Sequence, residues 1–135
     1  MKTKINLAFL TVFFSLLVSF SLPAQTSAKV QKEDQAKVNV YYFHFNIRCE
    51  ACRAVESEAQ QDIKALFGNT VTFAAYNLDE KAGEVKGKEL GVNSQTLLIV
   101  KGDKKINLTT EGFLYAQTNP DKFKKIIEEK IKPLL

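Results

Sequence analysis

Among its 135 residues the sequence has only two cysteines, one histidine, three prolines and no tryptophan. The first two shortages exclude the most. Cys49 and Cys52 stand three positions apart, so they cannot form a stabilising disulfide framework, because a structural bridge gains from the length of chain it closes. With His44 as the lone histidine and no second cysteine pair, a tetrahedral zinc site is at most half supplied. No glycine-rich dinucleotide fingerprint occurs, and no cofactor is expected. There is no arginine-rich stripe or basic-aromatic patch, so no nucleic-acid partner is expected either. Lys2 and Lys4 contribute two of the net charge of +4, and the remainder speaks only to solubility. Internal repeats and low-complexity tracts are absent from the sequence.

What is present begins with an address. Lys2 and Lys4 precede an apolar run from Ile5 to Phe20, and Ser21 to Ala28 supplies small residues with a helix-ending Pro23. This pattern predicts a signal peptide over residues 1–24, cleaved after Ala24, with Ala28 as a second candidate. The 16-residue run is shorter than the roughly 20 residues that span a bilayer. Contact with the membrane is therefore expected only during export, and the location expected is periplasmic or extracellular. No cysteine follows the run closely, which speaks against bacterial-type lipidation. Residues 25–37 are polar without apolar periodicity and read as a flexible lead-in. Residues 38–135 are then left for one small domain with a single core.

Within that domain Val38 to Phe45, rich in valine and aromatics, reads as a central strand buried on both faces. From Cys52 onward Val55, Ala59, Ile63 and Leu66 recur at helical spacing, and Gly68 can end the helix. Thr70 to Tyr76 reads as a second strand. Asp79 is placed to cap a weaker helix that contains Gly83 and Gly87 and stops near Gly91. Thr96 to Val100 and Lys104 to Thr109 flank Gly102-Asp103 as an antiparallel hairpin. Asn119 caps and Pro120 opens a final helix with Phe123, Ile126, Ile127 and Ile131 on one face. The order predicts an α/β fold, a mixed four-stranded sheet with helices on both faces.

A Cys-x-x-Cys pair that follows a buried strand and opens a helix has a chemical rationale. The helix dipole and free N–H groups favour the thiolate of Cys49, while Cys52, one turn further in, can resolve a mixed disulfide formed there. The expected function is thiol-disulfide redox exchange with protein thiols or disulfides, Cys49 acting as nucleophile and Cys52 as resolving thiol. His44 is a candidate proton carrier, against the plainer reading of a packed aromatic-strand residue. Arg48 and Glu50 flank Cys49 and would oppose each other in tuning it. Two alternatives stay open: a non-catalytic redox or interaction subunit, and Cu(I) held by the two sulfurs with His44.

The order of elements and the motif resemble the thioredoxin superfamily, with Val40 to Phe45 as its central strand and Gly91 to Ile99 as its loop and third strand. More narrowly, Tyr41-Tyr42-Phe43-His44-Phe45, Cys49-Glu50-Ala51-Cys52-Arg53-Ala54-Val55-Glu56, Asn77-Leu78-Asp79-Glu80-Lys81, Gln95 to Lys105 and Thr118-Asn119-Pro120 are similar to exported bacterial proteins of the nitrophenyl compound nitroreductase subunit ArsF family. That resemblance implies a redox role without a substrate, and leaves a membrane electron donor as a candidate partner. By counting from the cysteines, the superfamily's buried acid falls on Phe43 and its lysine partner near Ala75. Its cis-proline falls on Gln95, ahead of Thr96, so Gln95 and Thr96 are the candidate substrate loop.

Overall fold

A computed structural model of the chain describes residues 36–135. The predicted signal peptide and nearly all of the lead-in lie outside the described residues. Strand β1 (Val38–His44) leads into helix α1 (Glu50–Phe67), and strand β2 (Val71–Asn77) follows. Helix α2 (Lys81–Leu90) precedes the hairpin of β3 (Thr96–Lys101) and β4 (Lys104–Asn107). Helices α3 (Thr109–Tyr115) and α4 (Pro120–Ile131) complete the order, with a short 3-10 turn at Lys132–Leu134.

The sheet has the order β2-β1-β3-β4, with β1 parallel to β2 and antiparallel to β3, and β3 antiparallel to β4. β1 thus has a partner on each side, as its apolar composition predicts. Strand alternation sends Val38, Val40 and Tyr42 to one face, where they meet Val55, Ala59 and Ile63 of α1 and Phe123, Ile127 and Ile131 of α4. Tyr41 and Phe43 point to the other face, against Tyr76, Leu78, Leu90 and Val92 beside α2. β4, four residues long, is one outer edge of the sheet, and its Lys104 and Lys105 are exposed, a charged, short edge of the kind that resists pairing with another chain.

Three elements depart from the sequence reading, each for a local reason. The second hairpin strand ends at Asn107 because the Asn107 carboxamide oxygen accepts from the Thr109 N–H at 2.9 Å and starts a helical turn instead. The resulting α3 is seven residues long, has no side-chain cap, and packs Gly112 against Val55 and Phe123. Asp79 does not cap α2, whose N-cap is Glu80. Its carboxylate accepts from the Asn46 N–H at 2.7 Å.

The glycines of α2, which weaken it as an isolated helix, are what allows it to dock. A Cβ on Gly83 would stand 1.9 Å from the Asn77 carbonyl oxygen, and one on Gly87 would stand 2.7 Å from that of Val92. Asp62, on a helix position of polar sequence, is buried toward Lys124 of α4, whose Nζ lies 3.6 Å away. Burial pushes its carboxyl above the ordinary aspartate range, Glu58 and Asp121 add to the rise, and Lys124 opposes it.

Candidate functional site

The site lies where β1 hands over to α1. Cys49 is the N-cap of α1 in extended conformation, and Glu50 is the first helical residue. The Cys52 N–H donates to Cys49 Sγ at 3.1 Å, and the Cys49 N–H donates to Cys52 Sγ at 3.2 Å. The two sulfurs therefore serve the helix end as a serine and glutamate do in a capping box. They are joined as a disulfide, with Cα atoms 5.0 Å apart. Cys49 is exposed and Cys52 is only 5% exposed, so the first cysteine is open to solvent and the second is shielded.

The loop ahead of Cys49 is fixed from the neighbouring strand end. Asn46 donates its N–H to Asp79 and accepts from the Asn77 carboxamide at 2.7 Å, while the Leu78 N–H donates to the His44 carbonyl at 2.7 Å. Ile47, in the middle of that loop, is 95% exposed.

Beneath the pair stands Tyr42, fully buried on β1. Its hydroxyl donates to the Cys52 carbonyl at 2.8 Å and accepts from the Gln95 Nε2. Burial raises the phenol above its ordinary range, although the Gln95 bond and the Arg48 cation pull the other way. The hydroxyl is accordingly a neutral donor near pH 7. It joins three segments: the central strand, the first turn of α1, and the loop into β3. Replacing Tyr42 with phenylalanine keeps the ring and orphans the Gln95 amide. The expected loss is about 1–2 kcal/mol of stability in urea unfolding; a loss below about 0.5 kcal/mol would mean that the bridge contributes nothing.

The other residues singled out from sequence are distributed around this network. Phe43, which counting from the cysteines places under the pair, is on the opposite face, its ring stacked on Tyr76 at 5.8 Å. A strand reverses its side chain at every residue, and the inward position belongs to Tyr42. Ala75 pairs in register with Tyr42 but is exposed. His44 ends β1, half-buried, its ring 6.1 Å from that of Tyr42 and its Nδ1 3.1 Å from the Phe45 carbonyl. None of its hydrogen bonds among the described residues goes to a sulfur.

Arg48 and Glu50, on either side of Cys49, have different surroundings. Arg48 lays its guanidinium 5.9 Å from the centre of the Tyr42 ring and pairs with the carboxylate of Glu56, while Glu50 is exposed on the first turn. Gln95 faces the site through Tyr42, and Thr96 is buried with its hydroxyl donating to the Ser94 carbonyl at 3.0 Å. Tyr42 and Glu56 were thus not singled out from sequence, although period-two alternation from Val38 marks the first. Among the described residues no group of three or more histidine, cysteine or acidic side chains is placed to hold a metal ion. A groove lined by Gln60, Lys64, Gly68 and Thr72 lies at the far end of α1, remote from the disulfide.

No protein-family model matches the sequence, and no curated protein does. Solved structures do match. Trxlp from Edwardsiella tarda EIB202 superposes with a TM-score of 0.53 over 75% of this chain and 93% of its own, at 14% identity. The fold is thioredoxin-like. Also similar are a thioredoxin from Trypanosoma brucei brucei (TM-score 0.45, 19% identity, 78% of this chain and 87% of that one) and a thioredoxin from Thermus thermophilus (0.43, 15%, 76% and 80%). In this thioredoxin-like domain the Cys49–Cys52 pair lies at the start of the helix that follows the central strand.

Proposed function

We propose that this protein is an exported thiol-disulfide exchange protein that acts on protein thiols or disulfides through Cys49 and Cys52. The observation that carries the reading is the asymmetry of the pair, with an exposed cysteine at the N-cap and a buried one a turn inside. In the reducing direction the Cys49 thiolate attacks one sulfur of a partner disulfide. A mixed disulfide forms and the partner's other sulfur leaves as a thiolate, which takes up a proton. The Cys52 thiol then loses its proton and attacks Cys49 Sγ. The internal disulfide forms, the partner's second thiolate departs, and two electrons have passed from the pair to the partner. The oxidising direction is the reverse sequence.

The amino-terminal pattern of Lys2, Lys4 and the Ile5 to Phe20 run supports export to the periplasm or beyond, with cleavage after Ala24. The motifs around Tyr42, Cys49 and Asn77 support kinship with the exported ArsF-type proteins, and with it a membrane electron donor.

The test is to equilibrate the mature domain in dithiothreitol and glutathione redox buffers and then to offer the reduced form a protein disulfide. We expect reversible two-electron reduction of the Cys49–Cys52 bond and catalysed reduction of the client. A pair that equilibrates but reduces no client would favour the non-catalytic subunit. A pair inert to dithiothreitol would overturn the proposal.

A further inference from the structure

We propose that Glu56 is a positioning residue which holds the Arg48 guanidinium in a neutralised pair, and thereby limits how readily Cys49 becomes a thiolate. The inference rests on the redox reading above and adds the group that regulates it. A cation immediately before the nucleophile at a helix N-terminus is the arrangement that ordinarily activates a cysteine. Here that cation is occupied. Arg48 is folded back over the Tyr42 ring and ion-paired with Glu56, each side chain 23% exposed. Arg48 Nε is buried with no hydrogen-bond partner among the described residues. A solvated surface pair would leave neither feature, so the guanidinium is held against this site and not in the solvent.

The pair is also near enough to act. Arg48 is the residue immediately before Cys49, and Glu56, seven residues after Cys49, lies two helical turns on along the same side of α1, about 10 Å along the axis. The ring under the guanidinium belongs to the residue whose hydroxyl holds the Cys52 carbonyl. The other charged groups around the site are less able to set the balance. Glu50 and Arg53 of α1 are exposed and screened by solvent. Asp79 is engaged with the Asn46 N–H, and His44 of β1 with the Phe45 carbonyl. Gln95 and Tyr42, facing from the third-strand loop and from β1, are uncharged.

The direction follows from charge alone. Glu56→Gln leaves the guanidinium uncompensated, which favours the thiolate; Arg48→Met leaves the carboxylate, which disfavours it. The experiment measures the rate of iodoacetamide alkylation at Cys49 in the reduced protein as a function of pH, with mass spectrometry to assign the site. Glu56→Gln should move the midpoint down by about half a pH unit, and Arg48→Met should move it up by a similar amount. The double variant should return close to the parent. Midpoints that do not move, or two single variants that move the same way, would overturn the proposal. Exchange with glutathione, measured in parallel, reports separately on the redox reading: its absence in the parent protein sinks that reading, whatever the alkylation midpoints show.

Discussion

Replacing Cys52 with serine is expected to turn the protein into a covalent trap. The variant keeps the exposed Cys49 at the N-cap and loses the sulfur that resolves a mixed disulfide, so complexes with partners should accumulate and dissolve only on addition of reductant. Cys49→Ser leaves only Cys52, a residue 5% exposed, and should trap at least about tenfold less. Both variants, expressed with the full chain in the native host, are compared on gels run without reductant, and linked proteins are identified. Equal trapping by the two would refute the division of labour. Capture of a membrane thiol protein would identify the electron donor; capture of secreted proteins would identify clients.

The second large effect is expected far from any sulfur. Gly83→Ala should destabilise the domain by about 3 kcal/mol or more. In an isolated helix the same change favours folding by about 1 kcal/mol, so the sign itself is diagnostic. The added Cβ would meet Asn77 O at 1.9 Å, Asn77 C at 2.4 Å and Leu78 N at 3.0 Å, all backbone atoms that cannot swing aside. Asn77 and Asp79 also hold Asn46, so relief of the clash by moving that turn would loosen the loop before Cys49. Urea unfolding of the oxidised protein measures the loss, and a change smaller than about 1 kcal/mol would show that α2 can lift off the turn freely.

The features that were legible in the sequence are local. Cys49 and Cys52 announce themselves through spacing and through the valine-aromatic strand before them, and both signals lie within the fifteen residues from Val38 to Cys52. Helices α1 and α4 were legible because a single apolar stripe and a terminal glycine or Asn-Pro define each. Helix α3 was hidden by its length of seven residues, the lack of a capping side chain and Gly112 at its centre. Asp79 resembled a cap because aspartate commonly is one, yet its partner is Asn46, which is 33 positions away in the chain. The same limit explains the two residues missed at the site. Glu56 matters only because the chain folds Arg48 back onto α1, and Tyr42 only because strand parity turns it, and not Phe43, toward Cys52. Gly83 carried a true local signal, weakness, whose tertiary meaning is the reverse.

That Cys49 caps its own helix makes capping and electron transfer two readings of one thermodynamic cycle. The acceptor of the Cys52 N–H is a disulfide sulfur in the oxidised protein and becomes a charged sulfur when the reduced Cys49 ionises, and a charged acceptor makes roughly twice the bond of a neutral one. Reduction with ionisation of Cys49 therefore tightens the start of α1, and by reciprocity a change that strengthens the start of α1 more in the reduced form than in the oxidised one draws the pair toward its reduced form. A capping difference of about 1 kcal/mol corresponds to about 20 mV for a two-electron couple. The reduction potential of this protein is thus written partly in its backbone, at a helix end that sequence variation elsewhere in α1 can adjust without touching a cysteine.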